Sequence, residues 1–552
     1  MSGIAGIIRF DGGPVAPGLI ERMTTAMAFR GPDGIGHWKG DAVALGHCML
    51  RTTPESHEET QPLANEDEGV VLVMDGWLSN WAELRSELMG RGARLRTRAD
   101  AELVLRAYET WGEDCLDHID GDFALVVWDK RRRTAFCARD HIGNKPFYYH
   151  HDGKTLVFAS EIRAVVAALA DQPRLNLGMA SEFLACHWIS RDETFWKGVS
   201  RLVAAHAMAV EADGPRIHRY WQPDPDRVKP SLREDEWAEQ YRELLFDEVK
   251  RASRSSGPLA CEVSGGLDSS AIFAVADALS RRGELPAPSL AGYTLLFDDN
   301  SEANELAYAR AVGSHVGRKI EEIPPTVPNL GTSRAHAKHF LCFPSYPNGT
   351  MSNGLRAAAS SRGSRVLLVG IGGDEWLGGS RSYYTDAVAD GDWWPMGRAI
   401  IADAGSVGWW TSLSWALRHG FYPLVPRSIR MQARRLLGRP LAGRDYSGWL
   451  AREMKSCLEG QLPKLQPPTL KTRRRVQCGE LQDILDEAYS THARELEDQL
   501  AALQGIELRK PMYGARQISA PPGDDGAAAG EGSPEAGQGL FHGGIHAAHD
   551  RT

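Results

Sequence analysis

A chain of 552 residues with 42% hydrophobic and 24% charged residues has an ordinary globular composition and is too long for one hydrophobic core, so we expect two or more domains. The net charge is −9 and there is no sustained basic block, so we expect no nucleic-acid partner. No apolar run approaches the roughly 20 residues that span a bilayer. Eight scattered cysteines without a CxxC pair indicate neither a disulfide framework nor a structural zinc site. The N-terminus lacks the features of a signal peptide, so we expect a cytoplasmic protein with no membrane contact.

Residues 1–215 are predicted to form one α/β domain. Short apolar runs such as "VVLVMDG", "DFALVVWD", "TAFCARD" and "TLVFASE" alternate with turns rich in Gly, Asp and Pro. This pattern is typical of packed antiparallel sheets. The stretch "QPDPDRVKPSLREDEW" is polar and rich in proline, and we place a linker at 216–235.

A second domain is predicted at 236–518. Its first helix has an apolar face at helical spacing, formed by Trp237, Tyr241, Leu244, Leu245 and Val249. The apolar runs "GPLACEVSGG", "SLAGYTLLFDD" and "SRVLLVGIGG" then alternate with helical stretches. That alternation favours a doubly wound parallel sheet, so the fold class is α/β throughout.

Two glycine-rich loops give the strongest functional signal. In "LACEVSGGLDSSAIF" an apolar run ends in Ser-Gly-Gly and a helix begins at once, which leaves backbone amides free to face an anion. Ser264 and Ser269 add hydroxyl donors, and Asp268 is suited to Mg²⁺ that bridges a pyrophosphate. The alternative is a plain glycine turn before a helix. The loop in "VLLVGIGGDEWLGG" offers Asp374 and Glu375 at the same sheet edge, which favours a nucleotide site.

These motifs resemble a known family. "SGGLDSS" resembles the pyrophosphate loop of ATP-pyrophosphatases, its combination with "GIGGDEWLGG" is similar to the asparagine synthetase family, and "FRGPDG", "RDHIGNKPFYY" and "FASEI" resemble that family's glutamine amidotransferase domain. The resemblance implies an N-terminal Ntn-type αββα domain followed by a doubly wound ATP-pyrophosphatase domain of the adenine nucleotide α-hydrolase type. It also implies activation of a carboxylate by ATP as an acyl-adenylate, which a nitrogen nucleophile then attacks.

The same resemblance implies roles for individual residues. Two carboxylates, Asp268 and Asp374, would hold Mg²⁺. The residues that would surround ATP are Val263, Ser264, Gly265, Gly266, Asp268, Ser269, Leu295, Val369 and Gly370.

The N-terminal nucleophile of the family is altered. Glutamine-using members carry cysteine after the initiator methionine, where this chain has Ser2. A hydroxyl paired with a free α-amine can also serve as a nucleophile, so this change alone leaves both possibilities open. The arginine expected to bind the glutamine carboxylate falls on Met49, and a thioether cannot replace a cation. Arg51 is the alternative, from a shifted position.

Further positions of the glutamine site are replaced as well. The family's "NGEIYN" reads "DGWLSN" here, which places Asp75, Gly76 and Trp77 where an amide and a carboxylate would hold the substrate. Asp100, in "RADAE", is the recognition residue that is retained. We therefore expect Ser2 to begin a structural domain that has lost glutamine hydrolysis.

The synthetase half leaves several functions open. Ile371 of "GIGGDE" replaces a glutamate that contributes to catalysis in asparagine-forming members. Lasso-peptide cyclases and β-lactam synthetase resemble asparagine synthetase, keep the ATP site, lack a working glutaminase and use an amine already on the substrate. We prefer lasso-peptide isopeptide cyclisation, with a precursor peptide and its processing protease as partners. The alternatives are β-lactam synthetase-like chemistry, glutamine-hydrolysing asparagine synthase acting on L-aspartate, and a non-catalytic remnant.

Three segments remain beyond these motifs. The first is the tryptophan-rich stretch from "DWWPMGRAII" to "VGWWTSLSWALRHGFYPLVP", which forms either buried core or an aromatic wall for a peptide. The basic stretches "RSIRMQARRLLGR" and "LKTRRR" form either solvated helix faces or contacts for an acidic peptide. The family's "GIEVRVPFLDHRLVEF" reads "GIELRKPMYGARQI", with Gly514 at an aspartate position. We expect a truncated synthetase domain without the relatives' pyrophosphate-closing lysine loop, and a disordered tail at 519–552.

Overall fold

The computed structural model describes residues 1–223, 234–298, 304–344, 346–377, 381–391, 393–425, 429, 448–461 and 482–514. The predicted tail at 519–552, the middle of the predicted linker and nearly all of the two arginine-rich stretches lie outside these ranges. Among the helices of the described ranges, none has the length and apolar character needed to cross a bilayer.

The N-terminal half contains two six-stranded antiparallel sheets. The first comprises β1 (Gly3–Arg9), β2 (Ile35–Lys39), β3 (Val43–Cys48), β8 (Tyr148–His151), β9 (Thr155–Ala159) and β10 (Ser200–Arg201), in the order β10-β8-β9-β1-β3-β2. The second comprises β4 (Leu63–Ala64), β5 (Val70–Leu78), β6 (Gly121–Asp129), β7 (Thr134–Arg139), β11 (His206–Glu211) and β12 (Gly214–Arg219), in the order β12-β11-β7-β6-β5-β4.

The alternation of side chains along β5 explains how the layers form. Val71 and Val73 face the first sheet and share a core with Ile4 and Ile8. Leu72 and its alternate neighbours face the opposite way, into the core beneath two helices, α2 (Trp81–Gly90) and α3 (Asp100–Trp111). The first sheet is covered by α1 (Leu19–Ala26) and α4 (Ile162–Ala168), with α5 (Leu177–Leu184) following in the chain. The predicted αββα arrangement is therefore confirmed.

The C-terminal half is built on one parallel sheet. Its strands are β13 (Leu259–Glu262), β14 (Leu290–Leu295), β15 (Ile320–Ile323), β16 (Val366–Leu368) and β17 (Glu507–Arg509), in the order β15-β14-β13-β16-β17. The chain proceeds from β13 to one edge through β14 and β15, and then crosses to β16 and β17 on the other side. This reversal creates a crevice between the strand ends of β13 and β16, where open parallel sheets bind ligands.

Helices connect and flank these strands. They are α6 (Glu234–Ala252), α7 (Leu267–Arg281), α8 (Leu306–Val316), α9 (Leu330–Phe340), α10 (Asn353–Ser361), α11 (Gly373–Leu377), α12 (Tyr383–Asp390), α13 (Trp393–Val407), α14 (Trp409–Trp415), α15 (Arg452–Gln461) and α16 (Ala488–Ala502). Strand β12 pairs with β11 as far as Arg219, so the second sheet continues past residue 215 into the predicted linker. The domain boundaries themselves stay predictions.

The tryptophan-rich segment forms the helices α13 and α14. Four of its tryptophans, Trp393, Trp394, Trp409 and Trp410, are between 60% and 86% exposed, so they do not form the buried core that one interpretation expected. Trp415 is half-buried instead and packs against a small cluster around Tyr384.

Candidate active site

The loop after β13 is shaped by small residues. Gly265 has a φ of +97°, and a Cβ at this position would lie 2.7 Å from the Cβ of Tyr308, so a side chain has no room. The hydroxyl of Ser269 accepts a hydrogen bond from the amide of Ser264 at 3.1 Å and lies 2.9 Å from the Ser264 hydroxyl. No side chain caps the N-terminus of α7, so its first amides remain available to an anion.

The loop after β16 lies directly against the loop after β13. A Cβ on Gly370 would lie 2.7 Å from the backbone nitrogen of Ser269, and a Cβ on Gly373 would lie 1.9 Å from Asp268 Oδ2. Gly370 therefore requires glycine, because its Cβ would meet the backbone of the other loop, whereas a Cβ on Gly373 would displace the Asp268 carboxylate. The sequence predicts that these two loops lie at the same sheet edge, and the structure places them in direct contact.

Three carboxylates converge where the loops meet. The Asp268 carboxylate accepts a hydrogen bond from the amide of Asp374, while burial and the charges of Asp374 and Glu375 raise the pKa of Asp268 to about 6. Burial also raises the pKa of Glu375, and the nearby Lys510 opposes that rise. Such mutual repulsion is relieved by a cation.

The chemistry of this site fits Mg²⁺ held together with a polyphosphate. Mg²⁺ in nucleotide sites uses one or two protein carboxylates and completes its shell with phosphate oxygens and water. Asp268 and Asp374 provide two such carboxylates. Within the described ranges, His, Cys, Asp and Glu side chains form no group of three or more arranged to hold a metal alone.

The predicted nucleotide residues lie at the ends of three adjacent strands. Val263 follows β13 and donates its amide to Tyr293 on β14, whose last residue is Leu295. Val369 follows β16 and donates its amide to Arg509. The structure thus brings the predicted residues to the carboxyl edge of the sheet, and their role in binding ATP stays a prediction.

A second charged group at this edge was missed from the sequence. Lys510 follows β17, and its Nζ lies 3.1 Å from Glu497 Oε2 on α16, with both residues buried. The turn that follows supports the loop after β16, because a Cβ on Gly372 would lie 2.9 Å from the ring of Tyr513. The "RK" at a strand end is the signal that the sequence offers for this buried cation, and the absence of the relatives' lysine loop stays a prediction.

Ile371 occupies the position of the lost glutamate. It is half-buried and packs against two apolar clusters, one that contains Val369 and one that contains Tyr513. The side chain at this position is therefore apolar and cannot act as an acid or a base.

The N-terminal hydroxyl is engaged by backbone groups. Ser2 Oγ accepts a hydrogen bond from the amide of Leu50 at 3.0 Å and donates one to the carbonyl of Leu50 at 3.3 Å. Met1 precedes it, is buried, and donates its terminal amine to the carbonyl of Ile506 in the second domain.

Trp77 and Asp100 are held by the second domain. The Trp77 ring lies 4.3 Å from the guanidinium carbon of Arg509, and Trp77 belongs to the same apolar cluster as Met512. Asp100 accepts a hydrogen bond from the amide of Leu78 and forms an ion pair with Arg254. Both contacts use Asp100 Oδ2, whereas Asp100 Oδ1 is buried and has no hydrogen-bond partner in the described structure.

The side chains of Met49 and Asp75 are likewise buried. Met49 is buried, and Arg51 Nη1 donates to the carbonyl of Asp33 at 3.1 Å. The alternative that Arg51 substitutes for the family's arginine stays a prediction. Asp75 is fully buried, 3.8 Å from Arg30 Nη1 and 3.9 Å from Lys145 Nζ, and neither of its oxygens accepts a hydrogen bond within the described structure. Burial raises the pKa of Asp75 to about 6.

Gly76 lies in the same strand, with a φ of +153°. A Cβ at this position would lie 2.1 Å from the carbonyl oxygen of Asp122 on β6. The backbone of β5 is therefore closely packed against β6 at this position.

Comparison with known proteins assigns both halves. Residues 1–221 match the family model described as a glutamine amidotransferase domain, and residues 240–516 match the model described as asparagine synthase. The latter covers half of the chain.

Several curated proteins are similar to this chain. Asparagine synthetase [glutamine-hydrolyzing] 3 of Bacillus subtilis is 34% identical over 51% of this chain and 46% of its own length. Amidase chry2 of Gibberella zeae is 29% identical over 72% of this chain and 62% of its own, and amidase chyE of Penicillium rubens is 28% identical over 68% and 57%. The chain thus spans about half to three-fifths of the length of these relatives.

Among solved structures, a glutamine phosphoribosylpyrophosphate amidotransferase from B. subtilis, complexed with ADP and GMP, matches 58% of this chain and 90% of its own. The sequence identity is 13% and the TM-score is 0.31.

Proposed function

Because this chain belongs to the asparagine synthase family, whose members are ATP-dependent ligases, we propose that it joins a carboxylate of a peptide to an amine on the same peptide, as in lasso-peptide isopeptide cyclisation. In this reaction the carboxylate attacks the α-phosphorus of ATP and pyrophosphate leaves. The amine then attacks the acyl carbon, loses a proton, and displaces AMP. An amide bond is formed without ammonia.

The observation that carries this proposal is the closed glutamine site. Trp77 carries no charge and packs against Arg509, and Asp100 Oδ2 is paired with Arg254, so the charges that would bind glutamine are altered. Ser2 Oγ has only backbone partners. A chain that cannot release ammonia from glutamine needs another nitrogen nucleophile, and an amine carried by the substrate supplies it.

The residues of the sheet edge have distinct tasks in this proposal. The amides at the N-terminus of α7 and the hydroxyl of Ser264 would bind phosphate oxygens, which places the α-phosphorus near the crevice between β13 and β16. Asp268 and Asp374 would hold Mg²⁺, which neutralises the charge that develops on the phosphates. The glycines Gly370 and Gly373 keep the two loops in contact, so both carboxylates remain on one site.

Exchange of radioactive pyrophosphate into ATP, driven by glutamate-containing synthetic peptides, tests the proposal. We expect exchange with peptide, and a loss of at least about 100-fold in Asp268→Asn and in Asp374→Asn, since each removes a carboxylate that offsets phosphate charge. Glu284→Gln is the control, because Glu284 lies on an exposed turn after α7 and pairs with Lys250. Near-normal exchange in both aspartate variants would overturn the site assignment.

The second candidate is asparagine synthase, favoured by the similarity to Bacillus subtilis asparagine synthetase 3. It predicts exchange driven by L-aspartate and asparagine formation from glutamine. Assays of ammonia release and of asparagine separate the two candidates. Glutamine-dependent asparagine formation that Ser2→Ala abolishes would contradict peptide cyclisation, whereas peptide-driven exchange without ammonia release would support it.

A further inference from the structure

A group of large apolar side chains lies on the outside of α13, α14 and the helical turn that follows α14. Each is at least 40% exposed, although surface helices usually bury such side chains. The group comprises Trp393, Trp394, Ile401, Trp409, Trp410, Leu413, Leu417 and Phe421. We call these eight residues the tryptophan face.

The tryptophan face continues from one helix to the other. Trp394 and Ile401 are seven residues apart on α13, a spacing that places both on one side of the helix. The ring of Trp393 lies 6.3 Å from the ring of Phe421 and nearly parallel to it, which joins α13 to the turn after α14. Three further members of the face follow the helical spacing i, i+3 and i+7: Trp410, Leu413 and Leu417.

The inner side of these helices is fixed to the rest of the domain. Ser412 is buried, and its hydroxyl donates to the carbonyl of Ile400 on α13 at 2.7 Å. Met396 and Ala416 are buried in a cluster with Tyr384 of α12. A serine is thus inside while its tryptophan neighbours are outside, which is the reverse of the usual order for a helix in water. This reversal indicates that the tryptophan face contacts something other than water.

The sequence around the tryptophan face is strongly basic. Residues 393–444 contain eight arginines and one acidic residue, Asp403, although the whole chain has a net charge of −9. Arg398 and Arg418 are exposed, and the other six arginines, within 427–444, lie outside the described residues and are known from the sequence alone. The Asp403 carboxylate accepts hydrogen bonds from the hydroxyls of Tyr383 and Tyr384 at 2.7 and 2.6 Å.

Exposed tryptophans next to arginines fit the surface of an anionic bilayer. Indole rings favour the headgroup region of a membrane, where one part of the ring is in apolar and the other in polar surroundings. Arginines near the surface are attracted to anionic lipid headgroups. A second copy of the chain fits less well, because a symmetric contact would bring the arginines of both copies together and they would repel each other.

We propose that the tryptophan face binds the surface of an anionic lipid bilayer. The rings lie among the headgroups, the arginines lie near the lipid phosphates, and α13 and α14 rest on the bilayer without crossing it. Binding of this kind needs no spanning helix, and the described helices include none. The proposal departs from the expectation of no membrane contact, which rested on the lack of a spanning segment. It is independent of the proposed ligase function.

Flotation of the full chain with lipid vesicles tests the proposal. We expect the chain to float with vesicles of phosphatidylcholine that contain one quarter phosphatidylglycerol, and to bind pure phosphatidylcholine vesicles much more weakly. The double variant Trp409→Ser, Trp410→Ser should bind the anionic vesicles at least about tenfold more weakly, because two apolar rings no longer leave water. Arg418→Gln should weaken this binding about fivefold, since one charge near the surface is removed.

A matched control and a milder variant accompany the double variant. Trp449→Ser should bind as the original chain does, because Trp449 is 65% exposed but precedes α15, which packs on α5 of the N-terminal domain. Trp410→Ser alone should weaken binding severalfold. Trp410 is 86% exposed, so its replacement removes little packing and the folded chain is retained.

Quenching of tryptophan emission by lipids with a spin label near the headgroup gives a second measurement on the intact chain. We expect quenching that decreases in Trp410→Ser and is unchanged in Trp449→Ser. Lack of flotation with anionic vesicles overturns the proposal, and so does flotation that Trp410→Ser leaves unchanged. Analytical ultracentrifugation covers the other occupant: self-association that Trp410→Ser abolishes, without vesicle binding, would assign the tryptophan face to a second copy and overturn the proposal.

Discussion

At the scale of single residues, Asp75 is a buried carboxylate with charged neighbours and no hydrogen bond of its own in the described structure. Its carboxylate is fully buried and accepts no hydrogen bond in the described part of the chain, although Arg30 and Lys145 lie within 4 Å. Burial raises its pKa to about 6, and the charge of Lys145 limits this rise. The aspartate at this position, where the resemblance implies an asparagine, is therefore part of an internal charge network with Arg30 and Lys145.

The raised pKa of Asp75 predicts a pH-dependent contribution to stability. An acid with a higher pKa in the folded chain than in the unfolded chain favours folding when protonated. That contribution is present below about pH 4 and is lost as the pH rises through about 6. We expect Asp75→Asn to gain up to about 3 kcal/mol relative to the original chain between pH 4 and pH 7, measured by urea unfolding at each pH.

A control distinguishes this effect from the many other buried groups. Asp390→Asn changes an exposed carboxylate at the end of α12, so its difference in unfolding free energy should stay constant with pH. A constant difference for Asp75→Asn as well would show that Asp75 has an ordinary pKa.

At the scale of elements, α16 forms buried ion pairs with residues of the N-terminal domain. Glu495 pairs with Arg201 at 3.0 Å and with Arg139 at 3.2 Å, and it accepts a hydrogen bond from the Tyr148 hydroxyl. Burial alone would raise the pKa of Glu495, but the two guanidinium groups lower it to about 2. Asp498, one turn later, pairs with Arg30.

Removal of one partner should therefore be costly. Glu495→Ala leaves two buried guanidinium groups without their carboxylate, and we expect a loss of about 3–5 kcal/mol in the free energy of unfolding. Urea unfolding measures this loss, and Glu487→Ala, at an exposed position just before α16, should change it by less than about 0.5 kcal/mol. Equal effects of the two substitutions would argue against α16 as the interdomain contact.

The sequence predicts the strands β5 and β6, but it does not predict the buried position of α16. The runs "VVLVMDG" and "DFALVVWD" form the adjacent strands β5 and β6, because apolar alternation is encoded locally. The two glycine loops were predictable for the same reason. By contrast, α16 reads as a charged helix, "AYSTHARELEDQLAA", although Glu495 is buried. Its partner Arg201 is 294 residues away, a pairing that no local pattern contains.

The same reasoning explains the missed part of the candidate site. Lys510 and Glu497 are close only in the folded chain, because β17 lies next to β16 and α16 lies beside β17. Arg254 reaches Asp100 across the domain junction. Sequence motifs identified which positions had changed, whereas the partners that replaced the substrate became visible only in the fold.

At the scale of the whole molecule, the two domains share a core. Trp77 extends from β5 into the apolar cluster of the second domain, which also contains Val249 and Met512, and Met1 belongs to another cluster of that domain. We expect one cooperative thermal transition in calorimetry. Trp77→Ala creates a cavity and removes the contact with Arg509, so it should lose about 3–5 kcal/mol and split the transition in two.

A peripheral tryptophan provides the comparison for that experiment. Trp394→Ala, on the exposed side of α13, should keep a single transition at nearly the same temperature. Two separate transitions in the unaltered chain would contradict a shared core.

The position of Trp77 also limits which side chains this strand can carry. An acidic residue at position 77 would place a carboxylate among apolar side chains of the second domain and leave a void. The stability of the second domain therefore depends on an apolar side chain from the first domain, so substitutions at the glutamine-site strand affect both domains together.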